Sequence, residues 1–312
     1  MANTSTSNVL TSGALDEYIR KMAIHSYQET REFCRFAKKV SLPKGQHTYA
    51  FPVTTKMTGS ATTLTEWITP TNKNITRTKV PVTLLQYGDY IPLTDIVLDD
   101  NSFDLIDESV YELSNMVSRT VDNAAQDVLD AGTNVEYKGQ TVRTAITATN
   151  LLTANDLANA FRVLEGASAP KFDGKNYVCI MHTDVYHDLN ISESTTWFIS
   201  VLKYSKPEMI MEWEVGMMHG IRIIRSNNVQ RYVDGGAGNV DVYPTFFFGK
   251  NAFGEVTSGG LESIYKGMWS GGTDDPLNQR ATVSAKTRVW FAILKEEGLF
   301  RIETAASKGD NS

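Results

Sequence analysis

Residues 47–96 place the tightest limit on what this chain can become. HTYAFPVTT, SATTLTEWITP and ITRTKVPVTLLQYGDY are rich in Thr, Val, Tyr and Trp and alternate in part, which reads as β-strand. Val80, Val82 and Leu84 share one face; Lys79, Pro81 and Thr83 share the other. Pro52 and Pro81 sit inside these runs, and proline is tolerated in a strand only at an edge or a bulge. So few large apolar residues over such a length cannot bury a core of their own. A two-stranded ribbon is marginal in water unless something packs on it. The segment therefore reads as an extended β arm whose stabilising contacts lie elsewhere.

A helix of unusual length follows. Ile106, Val110, Leu113, Val117, Val121, Ala124 and Val128 recur at steps of three and four. Asp99, Asp100, Asn101 and Ser102 are candidate N-caps, and Gly132 is a natural stop. A helix over 98–132 would run for about 45 Å or more at about 1.5 Å per residue. Upstream, Leu15, Tyr18, Ile19, Met22, Phe33 and Phe36 predict a helix over 13–37, after a Ser/Thr-rich start. Downstream the texture becomes compact α/β. A capped helix is expected over 154–165, a buried strand in NYVCIMH, a short helix in TDVYHDL and a strand in GIRIIRSN. YVDGGAGNVDVYP reads as a mobile glycine-rich loop. At the C-terminal end ESIYKGMWS and ATVSAKTRVWFAIL are strands, and LFRIET is expected to fold back on the latter as a hairpin across KEEG.

Composition narrows the function classes. With 312 residues, 41% of them hydrophobic, the chain can bury a real core. A net charge of −6 excludes a protein that wraps nucleic acid by charge alone. Two distant cysteines, Cys34 and Cys179, form no disulfide framework and no zinc ribbon, and read as reduced, buried thiols. No apolar run reaches the roughly 18 residues of a membrane helix, and the start MANTSTSNVLTSG lacks the pattern of a secretory signal. The chain reads as soluble and free of membrane contact.

Chemistry-bearing motifs are sparse. His182, Asp184, His187 and Asp188 could bind a metal, but two His five residues apart, one ending a strand and one inside a helix, do not share the face that HExxH requires. GGAGN (235–239) lacks the GxGxxG spacing of a dinucleotide loop. No P-loop and no GxSxG elbow occurs. Trp67 stands out because the thin arm offers little to cover it. It either meets another molecule or packs across the hairpin itself. With no catalytic residue, cofactor or metal assigned, the chain reads as a structural protein and not an enzyme.

Three segments carry a family resemblance: LLQYGDYIPLTDIVLDD (84–100); VCIMHTDVYHDL with GMMHGIRIIRSNN (178–189 and 216–228); and DPLNQRATVSAKTRVWFAILKEEGLFRIETA (275–305). In order and spacing the chain resembles, over about 13–306, the major capsid proteins of tailed bacteriophages, in particular the podovirus-like and prophage branch. That fold is shared with the herpesvirus capsid floor and with encapsulin shells. The resemblance implies an α+β capsid fold. Its parts would be an N-terminal arm (1–46), an extended β loop (47–97), a peripheral domain (98–149, with a spine helix at 98–132), an axial domain (150–255) and a return to the peripheral domain (256–312). It implies hexamers and pentamers of an icosahedral shell around double-stranded DNA, in a virion made in the bacterial cytoplasm. The packaged DNA would be contacted weakly and without sequence specificity. Expected partners are a separate scaffolding protein, a portal and decoration proteins. An assembly interface is expected at Lys56, Trp67, Lys73, Arg77 and Lys79, and an arm hinge at Gly88 and Pro92. Some relatives cross-link a loop Lys to an Asn of a neighbour. No partner Asn or catalytic Glu is identifiable here, and that chemistry is not carried over. Two other readings are an encapsulin-like nanocompartment and a metal-dependent hydrolase built on His182, Asp184, His187 and Asp188.

Overall fold

A computed structural model describes residues 31–43, 45–57, 59–61, 63–70, 72–100, 105–192, 214–268 and 275–308. The helices are α1 (Phe33–Phe36), α2 (Asp95–Asp100), α3 (Leu105–Asp130), α4 (Ala154–Gly166) and α5 (Thr183–Ser192). The first strands are β1 (Lys38–Ser41), β2 (Thr48–Thr54), β3 (Arg77–Thr83), β4 (Leu85–Thr94), β5 (Val135–Tyr137) and β6 (Tyr177–His182). Then come β7 (Glu214–Met218), β8 (Ile221–Ser226), β9 (Tyr243–Phe248), β10 (Phe253–Thr257), β11 (Glu262–Lys266), β12 (Arg280–Ile293) and β13 (Leu299–Thr304). The described chain divides into two compact units, one of residues 86–121 and 259–288, the other of 31–85, 122–258 and 289–308.

In the first unit the leading part of β12 pairs with β11, antiparallel from Glu262↔Lys286 to Lys266↔Thr282, and with β4. Alternation along β12 sends Ala281, Val283 and Ala285 inward, as expected from its pattern. Leu113 and Val117 of α3 pack on these residues together with Leu93. Two alanines in that row let the helix lie close to the strand. The long helix runs Leu105–Asp130, about 39 Å at 1.5 Å per residue. Asp99 and Asp100, expected as N-caps, belong instead to the separate short helix α2, and residues 101–104 lie outside the described residues.

The second unit holds a mixed six-stranded sheet in the order β5-β13-β9-β6-β8-β7. Every residue of β9 and β13 is buried, so both strands are covered on two faces, and β13 carries the charged Arg301 and Glu303 inside with its apolar residues. On one face Leu157, Ala160 and Leu164 of α4 and Val185 and Leu189 of α5 pack with Cys179, Ile223, Phe247 and Phe300. α4 starts on a capping box: the Thr153 amide and hydroxyl both donate to Asp156 Oδ2 at 2.8 Å. Elsewhere in the unit Phe33 meets Phe246 edge-on at 5.4 Å, and Phe36 and Phe253 lie 5.6 and 5.5 Å from Phe248. Of the helix expected over 13–37, residues 13–30 lie outside the described residues, and the described part is α1. Lys38–Ser41, not anticipated as a strand, pairs parallel with β10.

The C-terminal hairpin is a correction. β13 does not pair with β12; it lies between β9 and β5, while residues 289–293 of β12 pair with β10. KEEG is a 3-10 turn that passes the chain from one sheet to another. Burial explains this: β12 hides one face, whereas LFRIET hides both and so belongs in a sheet centre. Gly132 also differs from expectation. It follows the end of α3 but is not in the left-handed region; a Cβ there would come 2.8 Å from Leu299 Cδ2, so glycine serves close packing.

Two buried polar networks lock the second unit. Asp122, fully buried, accepts the amides of Glu32 (3.3 Å) and Cys34 (3.1 Å) and the side chain of Asn228 (3.1 Å). It thereby satisfies amides at the start of α1. Glu303, also fully buried, accepts both ends of the Arg143 fork at 2.6 and 2.7 Å and stands 3.0 Å from Arg301 Nε. Arg301 reaches on to Asp130 at 2.7 Å.

Candidate assembly surface

The arm is an antiparallel ribbon, β2 with β3, in register from Thr48↔Thr83 to Thr54↔Arg77. Pro52 and Pro81 fit because both strands of a ribbon are edges. Its base has a small core after all. Phe51 and Val82 pack with Leu42 and Val256, flanked by Tyr49, Val80, Leu84 and Trp290. Gly254 makes room for the Phe51 ring: a Cβ would approach it to 2.7 Å.

Beyond that base no described residue of the arm is covered. Every described residue from 54 to 79 is exposed. Met57, Leu64, Trp67, Ile68 and Ile75 are large and apolar, and Trp67 is 97% exposed. Trp67 also has φ 69°, a left-handed conformation unusual for a bulky residue, in a turn where the Ile68 amide donates to Thr65 O at 3.2 Å. Packing across the ribbon, the other expectation for Trp67, is not what is found. Lys73 donates to the carbonyl of Ser60, bracing the tip. Lys56 lies in the same tip; Arg77 and Lys79 lie on β3 opposite Thr54 and Pro52. Lys56, Trp67, Lys73, Arg77 and Lys79 are thus all on one exposed arm. This apolar and cationic strip has open strand edges and is uncovered in the subunit by itself.

Gly88 and Pro92 both lie within β4, which pairs β12. A Cβ at Gly88 would stand 2.8 Å from Ala285 O and 2.9 Å from Lys286 Cβ. Gly88→Ala should therefore cost about 1–3 kcal/mol in chemical denaturation, by forcing two backbones apart. An unchanged denaturation midpoint would show that β4 can shift freely there.

The remaining motifs are occupied structurally. His182 Nδ1 accepts the Asp184 amide at 3.2 Å, and its ring lies 5.0 Å from Tyr243. Asp188 accepts the amide of Ser307 at 2.7 Å, and His187 lies beside it at 3.4 Å. Among the described residues no group of three or more His, Cys, Asp or Glu could hold a metal ion. The glycine-rich loop, expected to be mobile, is pinned. Gly236 N donates to Val240 O and Ala237 N to Ile146 O, each at 2.8 Å, and a Cβ on Gly236 would come 2.5 Å from Ile146 O. Cys34 and Cys179 are free and buried, and burial pushes both thiols well above their ordinary range.

Charge along the sequence is uneven after the arm. Between residues 80 and 118 there is no Lys or Arg, yet there are eight acids: Asp89, Asp95, Asp99, Asp100, Asp104, Asp107, Glu108 and Glu112. They are too spaced to form a block of like charge, yet they leave the segment strongly acidic.

Residues 77–302 match the model of a family described as phage capsid protein. Similar solved structures include the capsid of Ralstonia phage GP4, with TM-score 0.73 and 14% identity over 93% of both chains. The capsid of cyanophage P-SCSP1u matches with TM-score 0.68 and 15% identity, over 92% of this chain and 91% of that one. The capsid asymmetric unit of cyanophage Pam1 matches with TM-score 0.68 and 14% identity, over 99% and 100%. At such identities the likeness speaks to the fold. No curated protein matches the sequence.

Proposed function

The chain belongs to the phage capsid protein family, and from that premise we propose that it forms the hexamers and pentamers of an icosahedral shell around a double-stranded DNA genome. It is a structural protein of the virion capsid, with the α+β capsid fold expected from the sequence. The observation that carries the finer reading is the arm, whose described residues from 54 to 79 are all exposed. A shell subunit must bury large areas against several neighbours. An arm that lies on a neighbour adds area without enlarging the globular core.

In the family's terms we assign residues 1–46 to the N-terminal arm, 47–97 to the extended loop, 98–149 and 256–312 to the peripheral domain, and 150–255 to the axial domain. Lys56, Trp67, Lys73, Arg77 and Lys79 are assigned to the subunit interface. Gly88 and Pro92 are kept as the place where the arm swings, with the ladder to β12 opposing that motion. A separate scaffold, a portal and decoration proteins complete the proposed partners, the DNA is contacted weakly, and no reaction is assigned to the chain.

Size-exclusion chromatography and negative-stain microscopy of the purified protein test the reading. Closed shells, with DNA in native particles, are expected. Protein cargo in place of DNA would overturn the genome-container role. Trp67→Ala should lower the yield of shells several-fold while leaving the melting temperature of the unassembled subunit unchanged. An equal loss in both would mean that Trp67 supports its own subunit.

A further inference from the structure

We propose that Glu255 makes the attachment of α1 and β1 to the second unit sensitive to protons, tightening it in acid and loosening it in alkali. Glu255 lies on β10. Lys39 of β1 is its partner across the parallel ladder, and the uncharged Phe291 of β12 is its partner on the other side. Its Oε1 stands 3.7 Å from the guanidinium of Arg31, just before α1. A charge-assisted bond would be about 2.7–2.9 Å long. Arg31 is also partly exposed, so the pair is both stretched and screened. Glu255 Oε2 is buried and accepts no hydrogen bond among the described residues. Asp122 of α3 adds a like charge nearby, with its own oxygens taken by the amides of Glu32 and Cys34 and by Asn228. The Glu32 carboxylate faces Arg35 at 3.7 Å. The Cys34 thiol, pushed up by burial, stays neutral.

The Glu255 carboxylate is thus a buried charge that its neighbours compensate only in part. Burial pushes it above the usual glutamate range; Arg31 and Lys39 oppose that push, and Asp122 adds to it. Opening of residues 31–41 hydrates the group and returns it toward its ordinary value. A carboxyl raised in the closed form binds its proton more readily there, so closure takes up a proton. The gain is complete below the ordinary value of 4.5 and is lost as pH rises through the raised one. Phe33 on Phe246 and Phe36 on Phe248 hold the segment at every pH. Glu255 therefore sets how often it opens, not whether it docks. Every group involved lies in one subunit, so the inference is independent of the shell reading.

The test follows Cys34, which α1 carries and which is buried with it. In the unassembled full chain, labelling of Cys34 by a thiol reagent is read by peptide mass. The parent and Glu255→Gln are compared at the same pH, so that intrinsic thiol chemistry cancels. At about pH 8.5 the parent should label about tenfold faster than Glu255→Gln, and by about pH 5 the two rates should converge. A ratio that stays constant with pH overturns the proposal, because the substitution then acts through packing alone. Faster labelling of Glu255→Gln across the range overturns it too. The carboxyl carbon resonance of Glu255 in the parent keeps the test independent of how the variant folds. Its titration midpoint should lie above 4.5, and a midpoint at or below that value sinks the proposal.

Discussion

Replacing residues 57–75 with an Asn-Gly turn should give a folded, soluble subunit that forms no closed shell. The ends of the excised segment are already together: Thr55 N donates to Thr76 O at 3.0 Å, just outside it. Lys56-Asn-Gly then links Thr55 to Thr76 as a three-residue hairpin loop with glycine available for its left-handed position. The small core at the arm's base, Phe51 and Val82 against Leu42 and Val256, is retained. All described residues in the deleted stretch are exposed, so the subunit loses almost no buried surface and its stability should change by less than about 1 kcal/mol. Assembly should be lost entirely, because the apolar strip around Trp67 is gone. Electron micrographs and thermal melts read the two effects separately. Normal shells would remove the arm from the assembly mechanism. A collapsed melting temperature would mean that the tip stabilises its own subunit.

The arm was legible in the sequence for a physical reason. A strand-like segment poor in large apolar residues has nothing to pack on, and the exposure of every described residue from 54 to 79 is the result. The long helix was legible because its stripe is regular, and Leu113, Val117 and Val121 are buried as the period demands. Its start was not legible. Asp99 and Asp100 are good N-caps and also tolerable helix residues, and the chain uses them in α2. The hairpin error had a similar origin. A short KEEG link suits a hairpin, but the partner of LFRIET is chosen by two-sided burial against β9 and β5, which lie far away in sequence. The buried networks left no local trace. Asp122 and Glu32 are 90 residues apart, and Arg143 and Glu303 are 160 apart. Each looks like an ordinary surface charge until the fold brings its partner.

The second of those networks should prove the most sensitive point in the second unit. Glu303→Ala is expected to cost about 3–5 kcal/mol, because it removes one partner of a buried ion network and leaves the others in place. Glu303 is fully buried on β13 and holds Arg143 through two bonds of 2.6 and 2.7 Å, with Arg301 Nε at 3.0 Å. Arg143 is partly exposed and can turn toward water; Arg301 is buried and cannot. Arg301 keeps Asp130 at 2.7 Å, which limits the loss. Glu303→Gln keeps the shape and one acceptor and should cost less, about 1–3 kcal/mol. The damage should spread to the glycine-rich loop. The Arg143 guanidinium stacks 3.4 Å above the Tyr232 ring, and Tyr232 donates its hydroxyl to Asp130 at the end of α3. Without Glu303 to aim Arg143, that stack loosens, and the amides of Gly236 and Ala237 should exchange faster with solvent. Denaturation of the unassembled subunit reads the stability, and amide exchange reads the loop. A Glu303→Ala subunit within about 0.5 kcal/mol of the parent would show that solvent already compensates the two arginines. Unchanged exchange at 236–237 despite a large loss would confine the network to joining β13 with the end of α3.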